Sequence, residues 1–125
     1  MILGHHLLLE LYDCSVESID CIDSVRKLLH SAANKARATI VETTLHKFSP
    51  QGVSGVVIIA ESHIAIHTWP EHRYVAIDCF SCGEKALLDR LETYLRVAFQ
   101  AKASQAQVLA RGLSKPTAPT GVETS

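Results

Sequence analysis

Val53-Ser54-Gly55-Val56-Val57-Ile58-Ile59-Ala60-Glu61-Ser62-His63-Ile64-Ala65-Ile66-His67-Thr68-Trp69-Pro70-Glu71-His72 decides the fold. Val53 to Ala60 has the apolar density of a buried strand. Glu61 and Ser62 separate it from a second strand at 63–69, and Pro70-Glu71-His72 separates that from a third at 73–80. Consecutive strands with links this short favour an antiparallel sheet. The same stretch carries three histidines, two glutamates, two serines and a tryptophan. Buried imidazoles and carboxylates need partners. Ionisable and nucleophilic groups gathered in an apolar frame point to a reaction site.

Outward from this stretch, residues 3–12 read as a strand, with Leu3, Leu7, Leu9 and Leu11 mostly on one face. A helix is expected over 16–36, where Val16, Ile19, Ile22, Val25, Leu28, Leu29 and Ala32 recur at helical spacing. Residues 38–48 read as a strand that Pro50 and Gly52 end. A second helix spans 84–102, on Leu87, Leu88, Leu91, Leu95, Val97 and Ala98. A short strand is expected at 107–110. The result is an α+β two-layer sandwich: a mainly antiparallel sheet with two helices on one face. The other face also has many apolar positions, which points to a partner subunit.

The 125 residues make one domain, taken as 1–111. From Gly112 the chain is rich in Pro, Thr, Ser and Gly, and 112–125 is expected to be a disordered tail. A hydrophobic fraction of 47% and a mean hydropathy of +0.14 fit a globular protein. Net charge is -1 with no basic run, so the footprint of nucleic-acid binding is missing. No apolar stretch is long enough to cross a bilayer, and the start lacks the basic flank of an export signal. The chain reads as cytoplasmic, with its cysteines reduced.

Glu61-Ser62-His63 followed by His67-Thr68-Trp69-Pro70-Glu71 resembles the processing segment of the small prokaryotic S-adenosylmethionine decarboxylases. These are pyruvoyl enzymes of polyamine synthesis. Gly4-His5-His6, His46-Lys47-Phe48 and Asp78 through Gly83 extend the likeness over roughly residues 4 to 100. A motif this long and varied is far more specific than a short glycine loop. The resemblance implies self-cleavage between residues 61 and 62 and a covalent pyruvoyl cofactor made from Ser62. The Ser62 hydroxyl attacks the Glu61 carbonyl, the resulting ester is eliminated, and the dehydroalanine hydrolyses. Such a cofactor answers the need of an α-amino-acid decarboxylation for an electron sink, which no side chain provides. By itself, Ser62 also reads as an ordinary turn serine.

The resemblance assigns His67 to moving protons during processing, which a neutral imidazole does well near pH 7. Ser54 is expected to donate a hydrogen bond to the Glu61 carbonyl. Cys82 is expected to protonate the substrate after carbon dioxide leaves. Phe48 and Trp69 would stack on adenine and attract the sulfonium, and Glu71 would accept hydrogen bonds from the ribose. Each also has a plain packing or surface reading. The implied substrate is S-adenosylmethionine, and the product is the aminopropyl donor for spermidine. Arg73 stands where relatives often have glycine. An arginine or ornithine decarboxylase of the same fold, a silent partner subunit and a Cys-His hydrolase are the competing readings.

Spacing adds one expectation of its own. Ser62 and His67 are five residues apart, about 16 Å along a strand. Contact between them needs a sharp bend or a second copy of the chain, which favours a homodimer with composite sites. No metal is expected. Cys79 and Cys82 would point to opposite faces of a strand, and His63 and His67 would lie about 13 Å apart. His5, His6, His30, His46 and His72 read as surface or supporting groups.

Overall fold

The computed structural model describes residues 2–113, so the tail expected at 112–125 falls, apart from Gly112 and Leu113, outside the described residues. In chain order the elements are β1 (Gly4–Tyr12), α1 (Val16–Ile19), α2 (Ile22–Lys35), β2 (Ile40–Lys47), β3 (Val53–Ile59), β4 (Ser62–Trp69), a 3-10 turn (Pro70–His72), β5 (Tyr74–Ser81), α3 (Lys85–Ala98) and β6 (Ala103–Arg111). The six strands form one antiparallel sheet in the order β2-β3-β4-β5-β1-β6.

Alternation gives the sheet two unlike faces. Leu7, Leu9 and Leu11 of β1, Ile64 and Ile66 of β4, and Val75, Ile77 and Cys79 of β5 are buried. They pack with Val25, Leu29 and Ala32 of α2 and Leu88, Leu91 and Leu95 of α3, so all the helical cover lies on this side. Leu3 is exposed and does not join its neighbours' face. Among the described residues no element covers the opposite face. Ile58, Trp69 and Leu109 stand exposed on it, beside the partly covered His6, Leu8, Glu10, Tyr74, Asp78 and Phe80.

Three elements differ from the sequence reading. The helix expected over 16–36 is broken into α1 and α2. A continuous helix would pair the Ile19 carbonyl with the amide of residue 23. Instead that carbonyl accepts a bond of 2.8 Å from Thr68 Oγ1, which also accepts one of 2.9 Å from the Val53 N–H. Asp20, at the break, accepts from the Gly52 N–H at 2.8 Å and lies 3.3 Å from Lys47 Nζ. The Gly52 bond, aided by Lys47, holds the Asp20 carboxyl below its usual range. The break is thus a tertiary effect: it ties the first helix to the start of β3 and the end of β4.

The strand expected at 107–110 runs the full length of β6 and pairs with β1 from Gly4↔Arg111 to Tyr12↔Ala103. Only Val108 is even partly buried in it. The backbone ladder, with almost no apolar pattern, makes this an edge strand. The second helix is shorter than expected, Lys85–Ala98, because Gln100 turns left-handed at φ 51 just beyond its end.

Candidate active site

β3, β4 and β5 end together at one rim of the sheet. Ile59 pairs with Ser62, which leaves Ala60-Glu61 as a two-residue turn. Glu61 sits at φ 60, a left-handed conformation that costs a non-glycine residue about 1 kcal/mol. The favoured two-residue hairpin turns place their positive φ on both central residues or on the first. Here it falls on the second alone, immediately before the Glu61–Ser62 peptide bond. The Cys82 N–H donates to the Glu61 carbonyl at 3.3 Å. Ser62 Oγ is buried and has no hydrogen-bond partner among the described residues. Buried hydroxyls are rarely left so. Ser62 lies beside Ser81, whose Oγ accepts from the Gly83 N–H at 3.1 Å. Cys82 itself is exposed.

The other expected groups gather at the far end. Ser54 and His67 face each other across β3 and β4, with Oγ 2.8 Å from Nδ1. Trp69 follows on the same face, its ring 6.1 Å from that of His67 and 5.3 Å from that of Tyr74. Phe48 packs edge-on against His46 at 4.5 Å. Phe48 and Trp69 keep 46% and 39% of their surface exposed, enough for a flat partner to stack on. Glu71 is exposed in the 3-10 turn, which Arg73 closes at φ 54 while its N–H donates to the Pro70 carbonyl. That left-handed angle is one glycine adopts without steric cost, and here an arginine holds it.

One expectation therefore fails within a single chain. Ser54 does not reach the Glu61 carbonyl; its hydroxyl is engaged with His67, at the other end of β3. The donor at that carbonyl is the Cys82 backbone, a contact without side-chain identity and so invisible in the sequence. Ser62 and His67 also lie on opposite faces, five positions apart on one strand.

A family model described as S-adenosylmethionine decarboxylase matches residues 5–112. The chain belongs to the S-adenosylmethionine decarboxylase family. It is 48% identical over 114 residues to the S-adenosylmethionine decarboxylase proenzyme of Moorella thermoacetica, covering 91% of each chain. The proenzyme of that name from Thermodesulfovibrio yellowstonii is 45% identical over 111 residues, 89% of this chain and 82% of that one. The crystal structure of the adenosylmethionine decarboxylase from Aquifex aeolicus VF5 superposes with a TM-score of 0.83 at 34% identity, covering 95% of this chain and 98% of that one.

Within the family motif, some residues gain roles the sequence did not suggest. Thr68 is the buried clasp that ends α1. Asp78 lies 3.1 Å from His6 Nε2 and 3.6 Å from His63 Nε2 on the uncovered face, so two of the decarboxylase motif's histidines share one carboxylate. Tyr74 donates to Glu10; burial, then that bond, pushes its hydroxyl up to about 12. Burial also pushes the Cys79 thiol up, which suits a packing group.

Proposed function

We propose that the chain is a self-processing, pyruvoyl-dependent decarboxylase that converts S-adenosylmethionine to the aminopropyl donor for spermidine. One observation carries the reading: an unpartnered Ser62 hydroxyl follows a left-handed Glu61 whose carbonyl already holds a hydrogen bond from the Cys82 N–H. The Ser62 oxygen is the nucleophile, the Glu61 carbonyl its target, and the Cys82 N–H stabilises the oxyanion. The residues fit a pyruvoyl group, because the serine that would become it is at the turn and free of other bonds. When present, that group supplies the electron sink for decarboxylation.

The remaining roles belong to this chain's side chains. Cys82, exposed at the same rim, returns a proton to the substrate carbon. Trp69 and Phe48 stack on adenine, and Glu71 accepts from the ribose. His67, held by Ser54, moves the protons of processing. Because these last groups sit at the opposite end of the sheet, one complete site takes its rim from one copy and its aromatic end from another. A homodimer joined through the uncovered sheet face supplies both. The exposed Ile58, Leu109 and Trp69 on that face support this assembly. The relatives are named for S-adenosylmethionine, so an arginine or ornithine substrate is not favoured. Among the described residues no helix is long and apolar enough to cross a membrane. Four free cysteines agree with work in the reducing cytoplasm.

Intact mass of the purified protein tests the reading. Fragments 1–61 and 62–125 are expected, the second with a carbonyl in place of its amine, and Ser62→Ala should remain whole. A cut elsewhere, or a free serine amine, overturns it.

A further inference from the structure

Behind Ser62, on the helix side of the sheet, lies a cleft of about 220 Å³. Glu61 and Ser62 line it, and so do two arginines, Arg37 and Arg90. Arg90 is anchored across the cleft: its Nε donates to the Ala36 carbonyl at 2.9 Å, and its outer nitrogen is 3.4 Å from Glu84. Arg37 makes no ion pair among the described residues. Its backbone is unusual. Arg37 ends α2 at φ 65, with its N–H bonded to the Asn34 carbonyl and the Ala38 N–H to the Ala33 carbonyl. This is the helix end at which glycine is the ordinary residue. An arginine held there at a conformational cost, at the wall of the cleft that holds the scissile bond, points to a use for its charge.

We infer that Arg37 and Arg90 receive the Glu61 carboxylate as it forms. This rests on the self-processing reading and deepens it. Attack by Ser62 leaves Glu61 joined to the serine oxygen as an ester. In the next step the Ser62 Cα–H bond breaks, its proton passing to a base for which His67 of the partner subunit is the candidate. The freed pair forms the Cα–Cβ double bond of dehydroalanine. The Cβ–O bond breaks and its electrons stay on oxygen. A neutral ester thus becomes a carboxylate anion within this cleft, which two arginines line. Charge that develops on the departing oxygen is stabilised by cations already in place. Ester formation itself creates no lasting charge, so the arginines act on elimination and not on the first attack. Glu84 offsets part of the Arg90 charge, which makes Arg37 the principal partner.

The test uses the full chain made by cell-free translation and sampled over time by mass. The ester has the mass of the uncut chain, and hydroxylamine distinguishes them by splitting only the ester, leaving a free Ser62 amine. Arg37→Gly suits the left-handed backbone, so slow processing cannot be laid to misfolding. A buried oxyanion donor is worth about 10²-fold; Arg37 is exposed, so the loss expected in Arg37→Gly is on the order of tenfold. Hydroxylamine-sensitive ester should accumulate in Arg37→Gly, and Arg37→Lys should restore most of the rate. High salt should slow the wild type toward Arg37→Gly. Cleavage of Arg37→Gly at the wild-type rate, or slow cleavage without trapped ester, overturns the inference while leaving self-processing intact. A wild-type chain that never cuts at residue 61 removes the underlying reading instead.

Discussion

Two inactive variants should repair each other. Ser62 and His67 are five residues apart on β4 and on opposite faces, about 16 Å at roughly 3.3 Å per residue. Proton transfer needs heavy atoms within about 3 Å. No rotamer change closes that gap, so His67, if it is the processing base, has to act from a second chain. Ser62→Ala keeps His67 but has nothing to cut. His67→Ala keeps the scissile serine but loses the base. Each alone should stay whole. When the two are co-expressed equally, random pairing makes about half of the dimers mixed. Each mixed dimer holds one site with both native halves and one with neither. About half of the His67→Ala chains, roughly a quarter of all chains, should therefore be cut. Intact mass of differently tagged chains reads this directly. Native mass spectrometry that finds mixed dimers present but uncut would refute the composite site. Normal cleavage of His67→Ala alone would remove His67 from processing.

Five further outcomes follow from named contacts and burial. Cys82→Ala keeps the backbone N–H on the Glu61 carbonyl, so it should still be cut, while decarboxylation falls by about 10²-fold or more for want of the general acid; wild-type turnover would return the thiol to a packing role. Trp69→Ala should weaken S-adenosylmethionine binding by the ~1–3 kcal/mol of a lost stacking partner, seen in KM, and leave cleavage at residue 61 intact. Thr68→Val strands the buried Val53 N–H and the Ile19 carbonyl, and should cost about 2–4 kcal/mol in urea unfolding of the uncut Ser62→Ala chain. A thiol reagent at neutral pH should label Cys21 and Cys82 while the buried Cys14 and Cys79 resist. Burial, then Asp13, raises Cys14 from 9.0 to about 11. Its contribution to stability should therefore be whole below pH 9.0 and decline toward pH 11, as the unfolded chain sheds a proton that the folded chain keeps.

The parts of the fold legible in the sequence are those that side-chain pattern specifies. Strands β3, β4 and β5 were readable because Val57, Ile64, Ile66, Val75 and Ile77 alternate with polar or small residues or crowd a short run. The break between α1 and α2 was not, because Val16 to Ala32 keeps its helical spacing through Asp20 and Cys21. A hydroxyl 49 positions away, on Thr68, interrupts it. β6 was mostly missed because its edge position needs no apolar face. In the site, Ser62 and Cys82 were marked by chemistry and meet at one rim. The placement of Ser54 was not legible, since its partner depends on register: Ser54↔His67 at one end fixes Ile59↔Ser62 at the other. The Cys82 N–H and the left-handed Glu61 are backbone features, which no residue type announces.

The strand order has a consequence for what processing does to the molecule. A cut at Glu61 puts β1, β2 and β3 on one piece and β4, β5 and β6 on the other. In the sheet they do not lie as two blocks. β1 of the first piece is threaded between β5 and β6 of the second, while β3 lies against β4. Three of the five strand junctions, β3–β4, β5–β1 and β1–β6, thus join different pieces. Like interlaced fingers, the pieces cannot drift apart without the sheet being torn along several ladders at once. Their memory of how to assemble is another matter. The uncut chain brings β1 to β5 by closing a loop; the nicked pair must do so by meeting in solution. Denatured mature protein should therefore regain its sheet at a rate that rises with concentration, while Ser62→Ala starts on its own and independently of it. Maturation turns a fold that one chain can rewrite alone into one that two pieces must rewrite together.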